Sequence, residues 1–166
     1  PLFVVNDEME VVPNLAESYE VRGNTVTLKL KSGVKWEDGN PVTADDVIYT
    51  LGELEDAELD TIYKSCADNI TSYSKVDDLT VRIGYSKGLG SVGYSLCFPV
   101  IPKHYYNSRA AEDLKPVGNG AYKFSSYTLV KEMELVASET GLNGSPYISN
   151  INVKIMSDTQ TEIQAL

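Results

Sequence analysis

The glycine-rich segment Gly88–Gly93 is the first stretch whose residue types and spacing suggest chemistry. Its sequence, GLGSVG, matches the GxGxxG fingerprint of dinucleotide sites, and Glu112 and Asp113 follow about 20 residues later. Such a site needs a long helix that starts at the last glycine and holds the pyrophosphate at its N-terminus. Pro99 follows Gly93 after only five residues, and proline breaks a helix interior. We therefore predict a loop here and no nucleotide site.

Catalytic groups of the common kinds are scarce. His104 is the sole histidine, so a nucleophilic triad or an imidazole metal site would have to be built around it. Two adjacent carboxylate pairs, Glu37–Asp38 and Asp45–Asp46, could do acid–base work only in an apolar pocket that separates their pKa values. Each pair instead falls in a predicted turn or first helical turn. The sequence predicts no enzyme, no metal site and no cofactor.

The two cysteines, Cys66 and Cys97, are too few for a disulfide scaffold. One bridge is possible in an oxidising compartment, but two separately buried thiols are the interpretation we favour, since free cysteine is commonly a small core residue. The acidic segment Glu53–Asp60 lacks the glycine and alternating oxygen ligands of a calcium loop. We interpret it as a solvated helix end or loop.

The amino-acid composition and net charge indicate which classes of binding partner suit the chain. The chain has 166 residues, 42% of them apolar and 23% charged, which is typical of a soluble globular protein. Its net charge of -10 disfavours nucleic acid and anionic lipid, since both need a basic surface. No apolar run approaches the roughly 20 residues of a membrane-spanning helix. The sequence starts at Pro1 and stops at Leu166 in mid-pattern, so we expect a piece of a longer protein.

The segment Gly118–Tyr122, with the sequence GNGAY, is the one motif that we place near a ligand. Two glycines around one residue let the backbone approach another molecule closely or turn sharply. The candidate ligand-binding residues are therefore Gly118, Asn119, Gly120 and Tyr122. A tight turn leading into a strand at Tyr122 would explain both glycines without any ligand, and both explanations stay open at this point.

The elements that must position these residues begin with the stretch Thr25–Leu51. Alternation of apolar and polar residues predicts a strand with one buried face, and Val34 and Trp36 continue that alternation, with Trp36 in the core. The turn-rich Asp38–Pro41 follows. Thr43 then occupies a helix N-cap position, with carboxylates in the first turn. A helical stripe of apolar residues comes next: Ala44, Val47, Ile48 and Leu51.

Alternating segments elsewhere predict a short buried strand at Leu2–Val5 and antiparallel hairpins. One hairpin turns at Gly23–Asn24 and another at Asp77–Asp78. Further strands are predicted around Tyr122–Tyr127, Met133–Val136 and Ile151–Ile155, and short helices at Asn107–Leu114 and from Asp158 onward. The pattern predicts an α+β fold of mainly antiparallel sheets with flanking helices.

Several of these segments, in order and at matching spacing, resemble the signature of the family 5 extracellular solute-binding proteins, the peptide- and nickel-type receptors of bacterial ABC importers. Asp77–Ile83 is similar to the family's D-D-x-T-V-x-I pattern, and Ile101–His104 to its I-P-K-H loop, in which the histidine is not catalytic. The motifs near the start of the chain are Pro13–Val21, Leu28–Leu30, Gly33–Trp36, Asp38–Gly39 and Pro41–Val47.

Two segments depart from the family pattern. The GNGAY segment resembles the family's G-T-G-P-Y motif, with Asn119 in place of Thr and Ala121 in place of Pro, and its N-G-A-Y form is similar to the oligopeptide-type branch. Ser138–Gly144 lacks the Asn and the aromatic pair that the family usually carries there. The first departure favours a peptide ligand, and the second leaves the neighbouring surface undefined.

The resemblance implies a partial receptor of the periplasmic-binding-protein type II-like class. It implies that residues 13–115 form an outer subdomain, and that residues 1–12 and 116–166 belong to the first of two ligand-binding lobes that close on the ligand. The parent protein is then expected outside the cytoplasm, periplasmic or membrane-anchored as a lipoprotein, passing peptides to ABC permease subunits. The alternatives are a receptor for nickel complexes, sugars or another small solute, and a surface interaction module without a transport role.

Overall fold

The computed structural model describes residues 1–56, 62–87, 92–107 and 115–156. The chain divides into two compact units. The first comprises Pro1–Val34 and Pro41–Glu112, and the second comprises Lys35–Asn40 and Asp113–Leu166. The predicted division into an outer subdomain and part of a lobe refers to a complete receptor, and it stays a prediction.

Pairs of helices separate runs of strands along the described parts of the chain. The strands are β1 Phe3–Val5, β2 Val11–Pro13, β3 Ala16–Arg22, β4 Thr25–Leu30, β5 Ile70–Asp77, β6 Thr80–Tyr85, β7 Tyr122–Thr128, β8 Glu132–Ala137 and β9 Asn150–Lys154. The helices are α1 Ala44–Glu55, α2 Lys64–Ala67, α3 Val92–Ser95 and α4 Lys103–Tyr106.

The core of the first unit lies on one face of a four-stranded antiparallel sheet with the order β3-β4-β6-β5. The alternation in β4 buries Val26 and Leu28 completely, next to Val81 and Ile83 of β6. Helix α1 contacts β5 and β6 and contributes its own buried side chains, which include Ala44, Val47, Leu51 and Leu54. The predicted strand and helical stripe are confirmed, except that Ile48 at the edge of the stripe is only half-buried.

Both predicted hairpins are confirmed. Strands β3 and β4 pair around Gly23, which adopts a φ of +59°, a conformation that glycine reaches without steric cost. Strands β5 and β6 pair around the turn at Asp78. The predicted first strand is also present, as β1, and it pairs with β2. The sheet part of the first unit therefore follows directly from the alternation of the sequence.

The segment 34–36 does not form the predicted strand. The backbone N–H of Trp36 donates to the carbonyl of Asn40 at 2.8 Å, and Gly39, with a φ of +88°, donates back to the carbonyl of Trp36 at 2.9 Å. The turn therefore takes up the main-chain groups that a sheet ladder would need. Trp36 is nevertheless fully buried, as predicted.

Two other differences concern short helices. Gly93 lies in the four-residue helix α3 and not in a loop, and a side chain at this position would collide with Val11 of β2. This close packing explains the glycine without a ligand. Helix α4 begins immediately after Pro102 and was not predicted, because one helical turn leaves little periodicity to detect. Gly88–Ser91, the helix predicted beyond Asn107 and the helix predicted from Asp158 lie outside the described residues.

The second unit contains a three-stranded antiparallel sheet with the order β7-β8-β9, so the strands predicted in this part of the chain are confirmed. Phe124 pairs with Leu135, and Leu135 with Ile151, which places these apolar residues on one face. The irregular segment before β7 carries Gly118, Asn119 and Gly120, and Tyr122 is the first residue of β7.

Candidate functional site in the GNGAY segment

The segment Gly118–Tyr122 leads directly into β7 and is held from one side by Glu37. The backbone N–H of Glu37 donates to the carbonyl of Gly118 at 3.0 Å, and the N–H of Gly118 donates to the Glu37 carboxylate. Burial raises the pKa of the Glu37 carboxyl. The hydrogen bond from Gly118 and the charge of Lys123 oppose that rise, and Asp38 adds to it. Glu37 therefore belongs to the support of the candidate site, which its position in a turn motif did not indicate.

The segment that departs from the family pattern, Ser138–Gly144, supports the GNGAY residues from another side. The backbone N–H of Leu142 donates to the carbonyl of Asn119 at 3.0 Å, and that of Ser138 donates to the carbonyl of Ala121 at 2.8 Å. A Cβ on Gly141 would lie 2.7 Å from the carbonyl oxygen of Gly120. Gly141 is thus required by the close approach of two backbone segments, a role that only the tertiary structure reveals.

The backbone conformation of Gly118 and Gly120 does not require glycine at either position. The glycines that adopt positive φ angles are elsewhere, and Gly118 and Gly120 are not among them. A Cβ at either position would meet its nearest neighbour at 3.9 Å, an ordinary contact distance. A conformational requirement of a tight turn therefore does not account for these two glycines.

Asn119 lies between the glycines and carries an unusual polar atom. Its side-chain Nδ2 is the one buried side-chain nitrogen or oxygen within the described residues that has no hydrogen-bond partner. A buried donor of this kind costs free energy unless an acceptor reaches it. An approaching carbonyl or carboxylate oxygen would satisfy it.

Tyr122 is fixed by its hydroxyl, which donates to the carbonyl of Ile148 at 3.0 Å. The side chain is half-buried at the start of β7. Its hydroxyl proton is therefore engaged within the second unit, and its ring is the part left to contact another molecule. The four candidate residues lie within five consecutive positions, and hydrogen bonds from Glu37 and from residues 138–142 hold the main chain of this segment.

Residues whose types could act in catalysis lie on two helices of the first unit, Asp45 and Asp46 on α1 and His104 on α4. His104 is exposed on α4. Asp46 is buried and accepts the backbone N–H groups of Thr43 at 2.8 Å and of Lys103 at 2.9 Å. Asp45 forms an ion pair with Lys75 at 2.6 Å. The described ranges contain no group of three or more His, Cys, Asp or Glu side chains suited to hold a metal ion.

Both cysteines are free thiols, as favoured from the sequence, but they are partly exposed and not buried. Of the acidic segment Glu53–Asp60, the part up to Glu55 ends α1, and the residues from Ala57 onward lie outside the described ranges. None of the helices described is long and apolar enough to cross a membrane.

The sequence profile of the bacterial extracellular solute-binding proteins, family 5 (middle region), matches residues 10–166. The chain belongs to this family. The putative ABC transporter peptide-binding protein BOV_A0352 of Brucella ovis is 27% identical over 100% of this chain and 34% of its own length.

Solved structures of family 5 proteins superpose on the chain. The oligopeptide-binding protein AppA of Bacillus subtilis, in complex with a nonapeptide, has a TM-score of 0.86 and 25% identity over 99% of this chain and 35% of its own. The PBP AgaA of A. tumefaciens R10, in complex with agropinic acid, has a TM-score of 0.90 and 26% identity over 99% of this chain and 35% of its own. The predicted α+β, type II-like receptor fold is confirmed, and the chain spans about a third of the length of its relatives.

Proposed function

We propose that this chain is part of an extracytoplasmic receptor that captures peptides and delivers them to an ABC importer. The observation that carries the proposal is its likeness over nearly its whole length to AppA, which was solved with a nonapeptide. The family consists of extracellular solute-binding proteins, and such receptors work by reversible binding and not by covalent chemistry.

The GNGAY segment supplies a ligand contact that suits peptides. A peptide backbone presents a carbonyl oxygen at every residue, and Asn119 offers a buried amide donor without a partner. The bare backbones of Gly118 and Gly120 leave room for a ligand main chain to pass closely. In this proposal Gly118, Asn119 and Gly120 contact the peptide main chain, and Tyr122 contacts it with its ring.

Calorimetric titration of the complete receptor with peptides of defined length tests the proposal. Asn119→Ala is expected to weaken peptide binding roughly tenfold, the loss of about one hydrogen bond in a desolvated site. Asn143→Ala, which removes the same side chain from the exposed turn nearby, is the matched control and should leave affinity unchanged. Equal affinities for all three proteins would remove Asn119 from the site, and no heat with any peptide would contradict peptide capture itself.

A small organic solute is the second candidate ligand, because AgaA was solved with agropinic acid and is about as similar to this chain as AppA. The same titration with agropinic acid, a nickel complex and a sugar distinguishes these ligands from peptides. A surface module without a transport role is the candidate of another class. Deletion of the gene in a strain that needs peptides for growth separates a transport receptor from a surface module. Only loss of a transport receptor should abolish growth.

The proposal also covers where the complete receptor is located and how it is anchored. We place it outside the cytoplasm, periplasmic or attached to the membrane as a lipoprotein, where it meets the ABC permease subunits. Fractionation of cells, followed by detection of a lipid-modified N-terminal cysteine by mass spectrometry, tests the anchor. Recovery of the protein in the cytoplasmic fraction would contradict this location.

A further inference from the structure

The two cysteines of the chain lie on neighbouring elements of the first unit, although 31 positions separate them in the sequence. Cys66 is in α2, Cys97 follows the end of α3, and these two short helices pack against each other. Both residues are partly exposed, so a small reagent can reach them. The thiol of Cys97 donates to the carbonyl of Gly93 at 3.3 Å, which fixes its position next to α3.

Electrostatics agrees with this proximity. Burial raises the pKa of the Cys97 thiol, and the charge of Cys66 raises it further, while the N-terminal amino group opposes the rise. Burial also raises the pKa of Cys66, and the charge of Asp68 adds to it. Both groups are therefore mostly protonated at neutral pH, which slows thiol–disulfide exchange because the thiolate is the attacking species.

We propose that Cys66 and Cys97 are a redox modification site, which a small-molecule disulfide such as oxidised glutathione converts to an internal disulfide. One cysteine thiolate attacks a glutathione sulfur, forms a mixed disulfide and releases one glutathione thiol. The second cysteine attacks the protein sulfur of that mixed disulfide, so the protein S–S bond forms and a second glutathione thiol leaves. The protein loses two protons and two electrons, and one glutathione disulfide takes them up to give two glutathione thiols.

The bond would join α2 to the segment that follows α3. That segment already holds β1, since the N–H of Phe3 donates to the carbonyl of Leu96 at 3.3 Å. Closing the loop between positions 66 and 97 restricts the unfolded chain, so we expect the oxidised protein to melt at a higher temperature than the reduced one. The members of the family are extracellular, where oxidising conditions allow such a bond to last.

Incubation of the folded protein with excess oxidised glutathione, followed by intact-mass measurement and alkylation with iodoacetamide, tests the inference. The expected product has lost two hydrogen atoms, takes up no iodoacetamide and gives a peptide that links Cys66 to Cys97. Cys66→Ser and Cys97→Ser should each stop at a glutathione adduct. The measurement on the unaltered protein decides the question even if a variant fails to fold.

Any of four results would overturn the inference. The first is wild-type protein that keeps both thiols open to alkylation, and the second is wild-type protein that carries glutathione adducts without an internal link. The third is oxidised protein that melts at the same temperature as the reduced form. A link formed only between two chains, seen as a dimer on a non-reducing gel, also contradicts an internal site.

Discussion

Glu37 and Gly118 hydrogen-bond to each other in both directions, although 81 positions separate them in the sequence. The N–H of Glu37 donates to the carbonyl of Gly118 at 3.0 Å, and the N–H of Gly118 donates to the Glu37 carboxylate. This reciprocal pair fixes the start of the GNGAY segment. The protein itself therefore holds the segment in place, and under the proposed function this order would lower the entropic cost of binding a peptide.

Replacement of Glu37 tests this support. Glu37→Ala removes the acceptor of the Gly118 N–H and is expected to lower the free energy of unfolding by about 1 kcal/mol. Glu37→Gln keeps a carbonyl acceptor of the same shape and is the matched control. Urea denaturation of both variants at pH 7 measures the difference. If both variants unfold at the same urea concentration, the side-chain half of the reciprocal pair contributes nothing.

The same residue predicts a pH dependence. Because burial raises the pKa of Glu37 above its ordinary value of 4.5, the folded protein binds more protons than the unfolded chain between that value and the raised one. Stability is therefore lost as pH rises through this window. Relative to wild type, Glu37→Gln should gain stability between pH 4 and pH 7, by less than about 1 kcal/mol, since solvent screens a half-exposed group. A difference that is constant with pH would contradict the raised pKa.

Gly141 and Gly120 are predicted to respond differently to the same substitution. Gly141→Ala drives a Cβ against the carbonyl of Gly120 and should destabilise the protein by about 1–3 kcal/mol. Gly120→Ala meets only an ordinary contact and should leave stability nearly unchanged, because neither its φ angle nor its space requires glycine. Thermal unfolding of the two variants measures the contrast. Equal melting temperatures would show that the backbone relaxes at Gly141.

Most elements of the fold could be predicted from local patterns. The alternation of Val26, Leu28 and Leu30 and the spacing of Val47 and Leu51 determine which faces are buried, because a sheet and a helix each have one apolar side to cover. The strand predicted at residues 34–36 is absent, because the turn directly after Trp36 forms hydrogen bonds with the main-chain groups of that residue.

The surroundings of the candidate site could be predicted only in part. Its glycines and Asn119 stand out in the sequence, and the family resemblance located them. The contacts of Glu37 and Gly141 with this segment depend on hydrogen bonds between residues distant in sequence, which no local period encodes. The one available signal was the departure of Ser138–Gly144 from the family pattern.

Asp46 is predicted to stabilise the start of α4 as well as the N-terminus of its own helix, α1. It accepts the N–H of Thr43, which closes the capping box of α1, and also the N–H of Lys103 at the start of α4. Asp46→Ala leaves both donors unpaired and should cost about 2–4 kcal/mol, and Asp46→Asn, with one acceptor oxygen, should cost about half as much. Guanidinium denaturation of the two variants measures the order. The reverse order, with Asn more harmful than Ala, would contradict the double acceptor.

Asp45 gives the last prediction, which concerns acid stability. Its hydrogen-bonded ion pair with Lys75 lowers the pKa of its carboxyl below the ordinary 3.8, despite an opposing effect of burial. A lowered carboxyl pKa stabilises the folded state above the unfolded value, and this contribution is lost as pH falls through the folded one. Asp45→Asn should therefore be less stable than wild type at pH 7 and equal to it in strong acid.

Salt provides a second test of the Asp45–Lys75 ion pair. Because salt screens exposed pairs, about 1 M salt at pH 7 should reduce the difference in stability between Asp45→Asn and wild type. Denaturation of both proteins at pH 7 and in strong acid, each at low and high salt, measures the difference. If Asp45→Asn stays less stable than wild type in acid and in high salt, the loss comes from helix capping and not from the ion pair.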